Sequence, residues 1–279
     1  MEYFGLNEII ERALKEDIGH GDLTTKSLIS EDMQAAGVFV AKSPGILAGI
    51  KVACEVFKYL EPEIKFEYFK TDGDTLAPGD IIARVTGKAA TLLTGERVAL
   101  NFLQRLSGIA SKTRKMVEII KYMPVELVDT RKTTPGLRVL EKYAVTVGGA
   151  RNHRLGLYDG VMIKDNHIKA VGGIARAVSD VRQKVPHTIK IEVEVENLDQ
   201  LQQALEARAD IILLDNMDIE QMKQAVQITA GRALLEASGG INEETLLEVA
   251  RTGVDFISSG AITHSAVSLD ISFDLTETW

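Results

Sequence analysis

From residue 125 onward the chain repeats one pattern: a short apolar run, a loop, then a helical stretch. Apolar runs fall at 125–128, 160–163, 188–195, 211–214, 233–236 and 256–258, and helical patterns at 137–147, 168–185, 198–207, 219–229 and 243–252. After the first two, each run recurs at roughly 20 residues or slightly more, the spacing of βα units. Six strands are two short of a closed eight-stranded barrel. The expectation is an α/β protein with an incomplete or reduced barrel. A doubly wound open sheet is the alternative, because repeated βα units suit both.

The preceding residues lack this rhythm. A helix is expected at 7–17 with Asn7 as its N-cap, then a connector at 24–30 and a strand at 34–41. A helix at 52–60 stopped by Pro62, a half-buried strand at 64–69 and a strand at 81–85 follow, separated by Gly and Pro turns. These make a small α+β unit. The stretch 94–122 carries a broad apolar helical face that Gly108 bends or interrupts. The domain boundary is therefore placed there, giving an N-terminal domain over 1–108 and a barrel over 109–266. In the tail, Val267, Leu269, Ile271, Phe273 and Leu275 alternate with mostly polar neighbours. That reads as a strand with one buried face, and 267–279 is expected to return to the first domain.

Composition narrows the function. Hydrophobic residues at 45% and charged residues at 26% are ordinary globular values, enough for a sizeable core. No run approaches 18 apolar residues, so no membrane span is expected, and residues 1–5 do not read as a signal peptide; a cytoplasmic location follows. A single cysteine, Cys54, allows neither an internal disulfide nor a cysteine metal cluster, and reads as a buried, inert thiol.

Against a net charge of −8, positive charge is concentrated in one stretch, 130–167. Arg131, Lys132, Arg138, Arg151, Arg154 and Lys164 fall there, with His153 and His167 among them. Local positive charge in an acidic chain points to an anion site rather than a nucleic-acid surface. The alternative is a set of solvated surface charges. Arg131 and Lys132 follow one apolar run and Lys164 another, where ligand residues stand at the carboxyl ends of barrel strands.

Three more features occupy strand ends. Alternation puts Glu192, Glu194 and Glu196 on one strand face, where they repel unless something positive joins them; a solvated edge strand is the other reading. Leu213-Leu214-Asp215 is an apolar strand ending in a carboxylate. Ser238-Gly239-Gly240 and Ser258-Ser259-Gly260, the latter leading into Ala261, are glycine turns after the last two strands, where many barrels bind phosphate. Together they suggest a ligand with phosphates at one end, magnesium near Glu194 and Asp215, and a second anionic group near 131–164. No zinc-protease, dinucleotide or P-loop motif occurs.

The stretches Thr130-Arg131-Lys132-Thr133-Thr134-Pro135-Gly136, Gly149-Ala150-Arg151-Asn152-His153-Arg154 and Ile163-Lys164-Asp165-Asn166-His167 resemble quinolinate phosphoribosyltransferases. The likeness extends to Glu16-Asp17-Ile18-Gly19, Glu96-Arg97-Val98-Ala99, Leu106-Ser107-Gly108, Glu192-Val193-Glu194, Leu214-Asp215-Asn216 and Glu236-Ala237-Ser238-Gly239-Gly240. It implies a small α/β sandwich joined to an incomplete barrel of the type II phosphoribosyltransferase kind, acting as a homodimer with shared active sites or a larger homo-oligomer. It further implies that Thr130, Arg131, Lys132, His153, Arg154 and Lys164 line the quinolinate pocket, with Arg97 entering from the neighbouring subunit. Glu194 and Asp215 would face the ribose and magnesium of phosphoribosyl pyrophosphate, and Ser238, Gly239, Gly240, Ser259, Gly260 and Ala261 would hold its 5-phosphate. Lys132, Glu194 and Asp215 are the implied catalytic residues.

The implied chemistry suits these residue types. Quinolinate carries two carboxylates and its co-substrate several phosphate charges, so the pocket needs several Lys and Arg. Positive charge developing on the ribose is stabilised by Glu194 and Asp215. The product pyridinium is an electron sink that releases carbon dioxide, and no protein nucleophile is required. A nicotinate or other ring-acid phosphoribosyltransferase, a molybdenum-transport-associated relative and a non-enzymatic phosphate-binding barrel are the alternatives.

Overall fold

A computed structural model describes residues 5–279. The chain divides into two compact units. One comprises the described residues up to Arg114 with Thr134–Gly149 and Ala266–Trp279; the other comprises Lys115–Thr133 and Ala150–Ser265.

In the first unit, β1 (Gln34–Ala41) pairs antiparallel with β5 (Ile81–Lys88) and with β12 (Ile271–Thr278); β3 (Lys65–Tyr68) flanks β5, and the short β2 (Gly45–Ile46) and β4 (Thr75–Leu76) pair with each other. The tail strand thus begins at Ile271, four residues later than its alternation suggests, and its register sets Phe273 opposite Phe39. These two rings lie 4.8 Å apart, and Phe57 of α3 (Ile50–Leu60) joins them at 5.8 and 6.1 Å. Phe39 and Phe57 are fully buried, so three residues remote in sequence form one aromatic core.

Several local expectations are corrected. The connector at 24–30 contains a helix, α2 (Leu23–Leu28), because Asp22 caps it by accepting from Thr25 N at 2.9 Å. The helix α1 (Leu6–Ile18) starts one residue before Asn7, with Gly5 as its N-cap. Gly108 interrupts nothing, for α4 runs unbroken from Ala89 to Ile120. It is a point of close approach: a β-carbon there would lie 2.1 Å from the carbonyl oxygen of Val267. The helix α5 (Arg138–Gly148) belongs to this unit.

The second unit holds a wholly parallel six-stranded sheet. Its strands are β6 (Glu126–Val128), β7 (Val161–Ile163), β8 (Ile191–Val195), β9 (Ile211–Asp215), β10 (Leu234–Ser238) and β11 (Phe256–Ser258). Their order is β6-β11-β10-β9-β8-β7, so the first strand of the sheet pairs with the last. A doubly wound sheet grows outward from a central switch point. Pairing of first with last is the connectivity of a barrel, here left open between β6 and β7, and it removes the doubly wound alternative. The helix expected over 168–185 is two, α6 (Asp165–Val171) and α7 (Ile174–Arg182). Gly172 and Gly173 separate them with φ of 88° and 146°, conformations that side chains disfavour. The helices α8 (Leu198–Glu206), α9 (Ile219–Thr229), α10 (Leu246–Ala250) and α11 (Ala261–His264) complete this unit. No helix among the described residues is long and apolar enough to cross a membrane.

Candidate active site

A cavity of about 340 Å³ opens at the carboxyl ends of the parallel strands, lined wholly by the second unit. Thr130, Arg131 and Lys132 reach it from the loop after β6, and His153 and Arg154 from the loop before β7. Lys164 follows β7, Glu194 lies near the end of β8, and Asp215 ends β9. Met162, Leu213, Glu236, Ser238 and Ser258 complete the lining. Residues from six strands or strand-end loops meet because a parallel barrel points all its carboxyl ends one way.

The central cations do not all arrive. Arg151 pairs with Glu126 at the surface, its side chain 67% exposed, and Arg138 opens α5 in the first unit. For Arg151 the solvated-charge reading is correct. His167 accepts the backbone N–H of Lys164 at its ring Nδ1, 3.0 Å away, and so closes the start of α6. Arg97 lies exposed on α4.

Each carboxylate in the cavity has a positive or proton-bearing neighbour. Glu194 Oε2 accepts from Lys164 Nζ at 2.6 Å, and its side chain is only 15% exposed. The residue two positions earlier on the same strand face, Glu192, is 3% exposed and lies 3.1 Å from His153 Nε2. β8 lies between β7 and β9, so the solvated edge-strand reading fails. Asp215 is half-buried and accepts from Asn216 Nδ2 at 2.9 Å.

Glu236 is the ionisable residue of the cavity that the sequence did not nominate. The available signal was a lone carboxylate inside the apolar run Ala233-Leu234-Leu235-Glu236-Ala237. It is 4% exposed, and burial, reinforced by Glu192, pushes its pKa up to about 7; His153 and Ser258 pull the other way. His153, Glu192 and Glu236 could by distance surround a metal ion. The ring argues otherwise: His153 Nδ1 accepts the backbone N–H of Arg154 at 2.7 Å, so a neutral ring carries its proton on Nε2, the nitrogen facing the carboxylates. A protonated nitrogen cannot ligate.

Arg154 is held by Gly160 O at 3.1 Å and Met162 Sδ at 3.6 Å, and its pKa is lowered, first by burial and then by Arg131. The two glycine turns differ in context. Gly260 leads directly into α11, and its α-carbon side packs so closely on Lys132 that a β-carbon would lie 2.9 Å from Lys132 Cδ. Thr263 Oγ1 also donates to Lys132 O at 2.8 Å. Gly239, at φ 103°, lies against Asn216, and α10 begins only at Leu246. Ser238 and Ser258 line the cavity, and Gly239, Gly240, Ser259, Gly260 and Ala261 are their neighbours along the chain. The Ser259 hydroxyl is committed to Ile241 O at 2.7 Å.

Fold and cavity define a class: an α/β protein whose incomplete parallel barrel presents cations and two accessible carboxylates at its carboxyl end. Comparison with known proteins specifies the family. Residues 22–107 match the N-terminal domain of quinolinate phosphoribosyl transferase and residues 109–274 its C-terminal domain. A probable carboxylating nicotinate-nucleotide pyrophosphorylase of Bacillus subtilis is 48% identical over 276 residues, covering 99% of this chain and 95% of the relative. The crystal structure of NadC from Streptococcus pyogenes superposes with a TM-score of 0.94 at 43% identity, covering 100% of this chain and 98% of that one. The nicotinate-nucleotide pyrophosphorylase of Francisella tularensis gives a TM-score of 0.94 at 39% identity, covering 99% and 98%. The chain belongs to the quinolinate phosphoribosyltransferase family.

Proposed function

We propose that this protein transfers the phosphoribosyl group of phosphoribosyl pyrophosphate to quinolinate and releases carbon dioxide, giving nicotinate mononucleotide and pyrophosphate for NAD biosynthesis. The observation that carries the reading is the convergence of Arg131, Lys132, Arg154 and Lys164 with Glu194 and Asp215 in one cavity. Family membership supports it.

In this reading the guanidinium groups of Arg131 and Arg154 receive the ring carboxylates, for which a planar fork is suited to two-point binding. Lys132 and Lys164 balance the remaining negative charge. Glu194 and Asp215 face the ribose, where positive charge develops as pyrophosphate departs. The ring nitrogen then bonds to the anomeric carbon, and the resulting pyridinium stabilises the electron pair left when the adjacent carboxylate departs as carbon dioxide; that ring carbon takes up a proton from solvent to give the product. Ser238 to Gly240 and Ser259 to Ala261 hold the 5-phosphate.

Magnesium belongs to the same reading. Two carboxylates on one wall are the oxygen donor set magnesium takes when substrate phosphates supply the rest. Glu194 and Asp215 would hold it, and it would screen the phosphate charge. Arg97 reaches the site of a partner subunit, making the enzyme a homodimer at least. The protein works in the cytoplasm, and the free, buried thiol of Cys54 is compatible with a reducing compartment.

The test is direct. Purified protein with quinolinate, phosphoribosyl pyrophosphate and magnesium should form nicotinate mononucleotide by chromatography and release carbon dioxide in equal amount. Turnover of nicotinate in place of quinolinate, or no product from either, would overturn the assignment.

A further inference from the structure

His153 joins the wall of the cavity to two buried carboxyl groups beneath it, and both its ring nitrogens are engaged within the chain. Nδ1 accepts the Arg154 backbone N–H at 2.7 Å, and Nε2 lies 3.1 Å from Glu192 Oε2 and 3.5 Å from Glu236 Oε2. The backbone N–H of His153 donates to Asp129 Oδ1 at 2.8 Å, and Asp129 is fully buried. Burying carboxyl groups is costly unless they hold a partner. Here the partner is a ring whose remaining nitrogen seats the next residue.

Arg154 needs such a seat. Its guanidinium donates to a carbonyl and a thioether, both neutral; Arg131 repels it, and Glu192, Asp159 and Glu194 attract it. A guanidinium reserved for a substrate carboxylate cannot also be clamped by a carboxylate of its own chain without competition between the two. Its direction then has to be set through the backbone, and the backbone at Arg154 is fixed by His153 Nδ1.

We infer that Glu192, backed by Glu236, is a positioning residue: it fixes the His153 ring in the Nε2–H form, so that Nδ1 seats the Arg154 backbone and aims the guanidinium at an anionic substrate group. His153 shapes the pocket and gives neither ring nitrogen to the substrate. The identity of the anion rests on the proposed activity; the tautomer rests on geometry alone.

Nitrogen NMR of the full chain labelled in its histidines separates the two. There are five histidines, and His153 is identified by the signal lost in His153→Asn. The wild-type ring should carry a proton on Nε2 and none on Nδ1. A proton on Nδ1 overturns the inference, whether or not the enzyme is active. Glu192→Leu keeps the bulk and removes the acceptor, so it should shift His153 out of this tautomer. It should also raise the quinolinate KM about tenfold or more, leaving that of phosphoribosyl pyrophosphate within about twofold. Glu192→Gln retains an acceptor and should keep the wild-type tautomer and quinolinate KM. An unchanged His153 signal in Glu192→Leu, or equal rises in both KM values, overturns the inference. If Glu192→Leu does not fold, a tenfold rise in the quinolinate KM of Glu192→Gln overturns it and a wild-type value upholds it. Failure of the wild-type enzyme to turn over quinolinate counts against the activity, and the tautomer still decides the positioning.

Discussion

Lys164 Nζ and Glu194 Oε2 lie 2.6 Å apart across adjacent strands of the barrel, one an expected ligand for quinolinate and the other for ribose and magnesium. Two groups meant for different substrates satisfy each other. The Lys164 side chain is 42% exposed, so the pair adds little to stability. Lys164→Ala should therefore melt close to wild type and bind quinolinate about tenfold or more weakly, the loss of one charge-assisted bond. Differential scanning calorimetry and binding calorimetry check the two halves. A tight-binding variant would remove Lys164 from the quinolinate site.

The pH dependence of stability should carry the signature of Glu236. Its folded pKa of about 7 lies above the unfolded reference of 4.5, so between these values the folded chain holds a proton that the unfolded chain has released. The stabilisation is fully present below pH 4.5 and is lost as pH rises through about 7, at most roughly 1.4 kcal/mol per pH unit. Glu236→Gln is neutral throughout and should flatten that decline. Urea midpoints of both proteins at about pH 5 and about pH 8 measure it. Parallel pH profiles would show that Glu236 does not titrate there.

In the first unit an ion pair with one fully buried partner is structural. Glu141 is fully buried on α5; its Oε1 accepts from Arg105 Nε at 3.0 Å, Arg105 Nη2 at 2.9 Å and Thr134 Oγ1 at 2.8 Å, and its Oε2 from Thr134 N at 3.1 Å. Glu141→Leu strands these donors together and should cost on the order of 3–5 kcal/mol. Denaturant unfolding would show it. A loss under about 1 kcal/mol would mean that the donors find other partners or water.

Arg97 tests the shared-site proposal. Arg97→Ala and Lys164→Ala chains, each impaired when assayed at subsaturating quinolinate, mixed under conditions that exchange subunits, should form heterodimers with one doubly damaged site and one intact site. By that counting, activity returns to about half of wild type per heterodimer. Verified exchange with no recovery would place Arg97 at its own chain's site or at none.

Much of this architecture is legible in the order of residues. The apolar runs at 125–128, 211–214, 233–236 and 256–258 fall within two residues of strands β6, β9, β10 and β11, because a buried strand must be apolar locally whatever it pairs with. Cationic loops follow the runs at 125–128 and 160–163, so Arg131, Lys132 and Lys164 are placed at strand ends by the sequence itself. The six-strand count, short of eight, already pointed to an open barrel.

Tertiary structure decided what depends on partners far away in the chain. Seven Lys and Arg crowd the stretch 130–167, yet only four line the cavity: Arg138 and Lys142 stand on α5 in the first unit and Arg151 pairs with Glu126 at the surface, placements that spacing does not distinguish. Pairing of β6 with β11 made the sheet a barrel, and no local pattern encodes which strands become neighbours. Gly108 reads in sequence as a helix breaker and serves in the fold as the one size of residue that lets residue 267 pass. Glu236 shows the limit most clearly: sequence says only that a carboxylate interrupts an apolar strand. Its burial beside Glu192 and His153 raises its pKa, and that proximity exists only once β8, β10 and the loop before β7 have come together.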